Sequence, residues 1–238
     1  TMSESTALKD KTWPADSVLA MACAIFRTKG FTSVSSIIRD NVDSADRWNS
    51  KEHLCYQMVP DLDKEYKVLI KVTQEDVDSA TAIMQYYRRL TFGVIADNLS
   101  DYMQRVFSST QKPEVNFKDF GILASVPSVY FKEIEKKRII AESKSAVQEH
   151  LGEIGKTIEL NIRYISTRFV EKLNCYAHDA VTDTGHLVNF LNKSELGKTG
   201  INQKIRAKVK AHGVNFVSKS IETQLNYVKV LDNVLIWQ

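Results

Sequence analysis

Lys204-Ile205-Arg206-Ala207-Lys208-Val209-Lys210-Ala211-His212 alternates basic and apolar residues without a break. A β-strand sends successive side chains to opposite faces. The spacing therefore predicts a strand with Ile205, Ala207, Val209 and Ala211 turned to a core. Lys204, Arg206, Lys208, Lys210 and His212 then line the other face. Cations repeating every ~6–7 Å along one face match a phosphate backbone. Two other uses fit the same row: lysines protect an exposed strand from edge pairing, and they can meet an acidic protein partner.

The same grammar extends to either side of this stretch. Ile158, Leu160, Ile162 and Tyr164 alternate with Glu159, Asn161 and Arg163. Strand-like runs follow at 176–182 and 186–191, joined by a tight turn at Asp183-Thr184-Gly185. A loop with Gly197 and Gly200 leads to the basic run, and after Gly213 comes a last run over 220–230. Five short strands at this spacing suit a small closed or partly closed barrel such as the OB-fold. Periodicity alone equally allows an SH3-like barrel or a small sandwich.

Upstream, the grammar is helical. Asp16 or Ser17 is placed to cap a helix through Val18, Leu19, Met21, Ala22, Ile25 and Phe26, with Gly30 as its stop. Ile37 and Ile38, then Trp48, Leu54, Tyr56 and Met58, predict short helices ended by Pro60. Tyr66, Val68, Ile70 and Val72 alternate with lysines and a leucine, as in a short strand. Thr73 and Asp76 form an acidic variant of the capping box for a helix carrying Val77, Ala80, Ile83, Met84, Tyr87 and Leu90. A further helix is expected over 100–108, with Tyr102, Met103, Val106 and Phe107 inward. Phe117, Phe120, Ile122, Leu123 and Val126 make an apolar patch before Pro127, and a polar helix is expected over 128–148, its Lys136-Lys137-Arg138 cluster on a solvated face. The change of period between Glu142 and Gly152 marks a domain break. We expect an α-rich N-terminal domain over 1–148 and a β-domain over 149–238.

The 238 residues are 43% hydrophobic and 26% charged, with 9 Gly and 4 Pro, a profile that excludes collagen-like and largely disordered chains. No apolar run is long enough for a membrane span, so a membrane is not among the expected partners. Thr1-Met2-Ser3-Glu4-Ser5-Thr6 lacks the basic start and apolar core of a secretory signal, and Thr1 ahead of Met2 reads as an expression remnant. Cys23, Cys55 and Cys175 are odd in number and widely spaced, which argues for a reducing, cytoplasmic setting rather than a disulfide framework. Cys23, in an apolar helical run, is expected in the core.

Charge is unevenly divided. Residues 1–150 hold 20 basic and 21 acidic groups, net −1; residues 151–238 hold 12 and 8, net +4. The excess cations lie in the β-domain and point to an anionic partner there. Proteins that bind single strands combine cationic grooves with base-stacking aromatics. The connection between the first two strands carries Arg168, Phe169, Lys172 and Tyr176, and that between the last two carries Phe216 and Lys219. In an OB-fold these loops flank the usual binding face. The expected nucleic-acid contacts are Arg163, Arg168, Phe169, Tyr176, Lys204, Arg206, Lys208, Lys210, His212, Phe216 and Lys219.

Chemistry is harder to find. Cys175/His178 and Asp183/His186 lack the paired spacing of a metal site. There is no Walker loop, GxGxxG, HExxH or GxSxG. Asp61/Asp63 and Glu75/Asp76 read as a loop and a helix start. No catalytic residue, metal or cofactor is assigned.

One resemblance bears on function. It rests on Gly152-Glu153-Ile154-Gly155-Lys156 with Ile158-Glu159-Leu160, Asp183-x-Gly185-His186, Ala207-Lys208-Val209-Lys210-Ala211-His212 and Glu222-Thr223-Gln224-Leu225-Asn226. Upstream, Lys118-Asp119-Phe120-Gly121-Ile122-Leu123-Ala124-Ser125 and Tyr130 belong to it too. Over about 117–230 the chain resembles bacteriophage-encoded DNA-metabolism proteins with a C-terminal OB-like β-domain. Asn174-Cys175-Tyr176-Ala177-His178 departs from the YG-x-T-T pattern of that group's second strand, so no binding residue is carried over. The resemblance implies a viral, nucleic-acid-associated protein and names no catalytic group.

The expectation is thus an α+β chain: an α-rich N-terminal domain followed by a small five-stranded OB-like β-barrel. It would be a non-enzymatic protein that binds single-stranded nucleic acid, DNA before RNA, as a phage replication or recombination accessory. A protein partner could dock on the helical domain. The rival reading is a protein-interaction module that modulates replication, transcription or host-defence machinery.

Overall fold

The structure, a computed structural model, describes residues 10–33, 35, 48–93 and 100–232. It divides into two compact units, residues 1–133 and 134–238. The expected short helix at Ile37 and Ile38 lies outside the described residues.

In the first unit a two-stranded antiparallel ladder, β1 (Thr12–Pro14) with β2 (Glu114–Asn116), ties the start of the unit to its later part. Helix α1 (Ala15–Lys29) buries Val18, Leu19, Ala22, Cys23 and Ile25. Its cap differs from expectation. Pro14 holds the N-cap with no side-chain bond, and Asp16 accepts from Ser17 N inside the first turn. Proline there costs nothing, because its missing N–H would have been an orphan. Gly30, at φ 73°, ends the helix and donates its N–H to Phe26 O.

Helix α2 (Ser50–Met58) starts on a capping box in which Asn49 accepts from Glu52 N and Glu52 accepts from Asn49 N. Residues 66–72 were expected as a strand and belong to no strand or helix among the described residues. The Gln57 amide takes the place of a partner strand, donating to Val68 O and accepting from Ile70 N. Helix α3 (Gln74–Gly93) opens on Asp76, which accepts from Thr73 N and Oγ1 and pairs with Arg27 through two bonds of 2.9 Å. Helix α4 (Asp101–Gln111) is capped by Ser100 and buries Val106 and Phe107.

Helix α5 (Phe120–Ser145) begins eight residues earlier than its polar pattern predicts and runs through Pro127. Phe120, Leu123 and Val126 are completely buried. Packing of that face outweighs the one backbone bond that proline removes. The unit boundary falls inside α5, at Glu133/Ile134, whereas the change to strand periodicity comes after its end. Within the second unit α5 is held to the barrel: Arg138 donates to Ile165 O, and Glu142 accepts from both Arg138 and Arg163.

The barrel consists of β3 (Thr157–Val170), β4 (Cys175–Thr182), β5 (Leu187–Asn192), β6 (Asn202–Val214) and β7 (Ile221–Asp232). They close in the order β3-β4-β5-β7-β6, with β6 returning to β3. Every pairing is antiparallel except β5 with β7. The fold is therefore α+β, with a helical N-terminal part and a closed five-stranded OB-like barrel. Ile162, Tyr164, Ala180, Val188, Phe190, Ile205, Ala207, Val209 and Leu225 fill the barrel. A bulge between Tyr164 and Ser166 lets the long β3 turn from one neighbour to the other. Among the described residues no helix is long and apolar enough to cross a membrane.

Candidate functional site

The alternation of β6 survives folding. Ile205, Ala207 and Val209 are buried in the barrel, while Arg206, Lys208 and Lys210 are exposed and Lys204 is partly exposed on the other face. The four cations share one side of a strand, yet they are not equivalent. The β3–β6 register sets Glu159 directly across from Arg206. Its Oε1 accepts from Arg206 Nε at 3.0 Å and Nη2 at 2.6 Å, and its Oε2 lies 3.5 Å from Lys204 Nζ. Arg206 thereby holds the Glu159 carboxyl below the usual range. Lys208 and Lys210 have no such partner among the described residues.

On the other side of β6 lies β7, and here a residue that sequence reasoning passed over comes into view. Lys208 pairs with Asn226 and Arg206 with Lys229, so Tyr227 and Val228 form a bulge between them. Tyr227 has a left-handed backbone, φ 52°, and is 78% exposed. A bulky side chain in that region costs energy and is uncommon outside turns. The bulge thus holds an aromatic ring out to solvent on the strand beside Arg206 and Lys208. Its only sequence signal was an aromatic residue next to polar Asn226 in the last strand-like run.

Phe216 tops the β6–β7 hairpin and is 85% exposed. Asn215 organises this tip: its Oδ1 accepts from Val217 N and Ser218 N, and its Nδ2 donates to the buried Glu222. Lys219 places Nζ 4.6 Å from the centre of the Phe216 ring, a cation–π contact. His212 lies on the exposed side of β6, but its ring is engaged. It stacks on His150 at 4.5 Å and donates Nε2–H to Gly152 O, while His150 donates to Gly213 O.

The remaining expected contacts fall elsewhere. Arg163 is paired with Glu142. Arg168, Phe169 and Tyr176 surround the β3–β4 connection. Phe169 is half-exposed and meets the Tyr176 ring at 5.2 Å, and Tyr176 in turn lies over His178. Lys208 is opposite Thr157, the first residue of β3, whereas Phe169 is next to its last. Because β6 runs antiparallel to β3, Phe216 and Phe169 mark opposite ends of the barrel. The structure brings together Lys204, Arg206, Lys208, Lys210, Phe216 and Lys219 along one ribbon and leaves the Arg168 group apart from it.

The other faces of β4 and β5, between these ends, carry Ala177, Asp179, Val181, Leu187 and Asn189 opposite the core residues His178, Ala180, Val188 and Phe190, and of these Ala177 and Leu187 are themselves buried. None of the five is a cation or an aromatic. Burial pushes the Asp179 carboxyl up to about 6, with Glu222 adding to the rise and Arg168 opposing it. His178 is buried and its protonation is disfavoured by that burial. One ring nitrogen meets Thr167 Oγ1 and the other accepts from Leu196 N. Cys175, three residues away on the same strand, lies on the opposite face. Burial pushes the thiols of Cys23 and Cys55 up to about 12 and about 11, so neither supplies thiolate near neutrality.

No family model, curated protein or solved structure matches the chain.

Proposed function

We propose that the barrel binds single-stranded nucleic acid, DNA before RNA, along the β6–β7 ribbon and carries out no chemistry of its own. The observation that carries this reading is the exposed ring of Tyr227, held by a left-handed backbone on the strand beside two lysines that meet no acid among the described residues. Lys208 and Lys210, ~6–7 Å apart, meet successive phosphates. Tyr227 and Phe216 offer faces on which bases stack, an interaction indifferent to sequence. The resemblance of residues 117–230 to phage DNA-metabolism proteins supports a replication or recombination accessory acting in the host cytoplasm. The helical unit is then the part that docks on a protein partner.

The test is fluorescence anisotropy of labelled oligo-dT, oligo-rU and duplex against the full chain over a range of salt. Lys208→Glu with Lys210→Glu should weaken single-strand binding and flatten the plot of log K against log salt by ~0.7 for each lost phosphate contact. A folded double variant with unchanged affinity and slope overturns the reading. One feature favours a second use of the same barrel. Val214, Phe216 and Val217 form an exposed apolar tip, as a protein-interaction module would present. Polymer binding confined to low salt, and absent at physiological salt, selects that alternative.

A further inference from the structure

We propose that Glu159 is a built-in phosphate surrogate, which occupies Lys204 and Arg206 and confines nucleic acid to the lower half of the basic row. This deepens the binding reading above and rests on it. The geometry is specific. A carboxylate resembles a phosphate in charge sign and in accepting from two donors of one guanidinium. Glu159 bonds Arg206 Nε and Nη2 with one oxygen and turns the other toward Lys204 Nζ. It thus covers two adjacent positions of a row whose outward spacing fits consecutive phosphates. Lys208 and Lys210, opposite Thr157 and beyond, meet no acid among the described residues.

The pairing is better suited to tuning than to holding the barrel together. Glu159, Lys204 and Arg206 are each more than two-fifths exposed, and exposed ion pairs contribute little to stability. Barrel closure at this level already rests on the β3–β6 ladder and on Ile205 and Ala207 in the core. What the carboxylate does change is the cost of engaging a strand. A phosphate that takes Arg206 must displace Glu159, and the freed carboxylate regains a counterion. The net counterion release on binding is smaller by that amount, and both affinity and salt dependence fall with it. Tyr227, in the β7 bulge between the pairings of Arg206 and Lys208, stands at the boundary between the covered and the open half.

The experiment titrates a fluorescein-labelled dT12 with the full chain and with Glu159→Gln over a salt series. Glu159→Gln keeps the shape and removes the charge. It should bind more tightly, by about fivefold per gained contact at 0.1 M salt, and steepen the slope by ~0.7 for one contact or ~1.4 for two. In Glu159→Gln/Arg206→Gln part of that gain should vanish. Wild-type binding that depends on Lys208 and Lys210, together with a Glu159→Gln variant of identical affinity and slope, overturns the surrogate role and leaves the binding site standing. Absence of dT12 binding by both proteins overturns the two readings together. Thermal melting of Glu159→Gln, expected unchanged, separates these outcomes from misfolding; a lowered melting point with no gain in binding assigns the pair a structural role instead and also overturns the inference.

Discussion

Gly197 lies flat against the ring of Tyr164: a Cβ there would fall well inside van der Waals contact with Cε2. Tyr164 is completely buried, its hydroxyl donates to Gln203 Oε1 at 2.7 Å, and Gly197 O accepts from Thr167 Oγ1. The loop between β5 and β6 is thereby seated on the end of the barrel core. Gly197→Ala should force the ring or the loop to move and destabilise the barrel by roughly 1–3 kcal/mol. Amide hydrogen exchange at β3 and β6 should accelerate while the helical unit is unaffected. Unchanged protection would show that the loop yields freely.

Tyr227 combines strain with exposure, which is the combination expected when a side chain is kept for contact rather than for packing. Asparagine tolerates the left-handed region better than an aromatic residue. Tyr227→Asn should leave barrel stability unchanged or raise it by about 1 kcal/mol, while single-strand affinity falls by roughly 1–3 kcal/mol and the salt slope stays put. Urea denaturation and anisotropy measure the two effects separately. A destabilised variant with full affinity would make Tyr227 a packing residue.

Phe216→Ala probes the other aromatic. Removing one stacking platform should cost roughly 1–3 kcal/mol of single-strand affinity with little change in salt slope. Retention of full affinity would confine the contact to the Lys208–Tyr227 region and leave the apolar tip for a protein partner.

Asp179 sets a pH dependence of defined sign. Its carboxyl is raised from 3.8 to about 6, chiefly by burial. A carboxyl whose folded value exceeds its unfolded value contributes stability fully below the unfolded pKa and loses it as pH rises through about 6. Asp179→Asn should therefore stabilise the barrel at pH 7, by ~1–2 kcal/mol after allowance for partial exposure. The gain should disappear near pH 4. Urea denaturation at the two pH values checks it, and equal stability of variant and wild type at pH 7 would refute it.

The strands were legible because their signal is local. Alternation over 204–212 needs only the two-residue period of a strand, and burial follows it from Ile205 to Lys210, while Ala211, beyond a register shift after Val209, is only partly buried. The tight turn at Asp183-Thr184-Gly185 was equally local, closing β4 onto β5. Residues 66–72 show the limit of that signal. They alternate, yet pair with no strand among the described residues, because whether a partner edge is available depends on distant chain. Pro127 failed in the opposite sense. The local rule stops a helix there, and burial of Phe120, Leu123 and Val126 carries α5 through it.

For the candidate site, the sequence by itself determined that four cations share one face of a strand and that Phe216 sits in a polar connection. Both follow from neighbours in the chain. Tertiary structure alone decided which of those cations are open. Glu159 reaches Lys204 and Arg206 only through the β3–β6 register, and Glu142 reaches Arg163 only because α5 is held to the barrel. It also decided that Tyr227 belongs beside Lys208 and that Phe169 lies at the far end. Register, bulges and strand direction are properties of barrel closure, and closure is set by pairings between residues far apart in the chain.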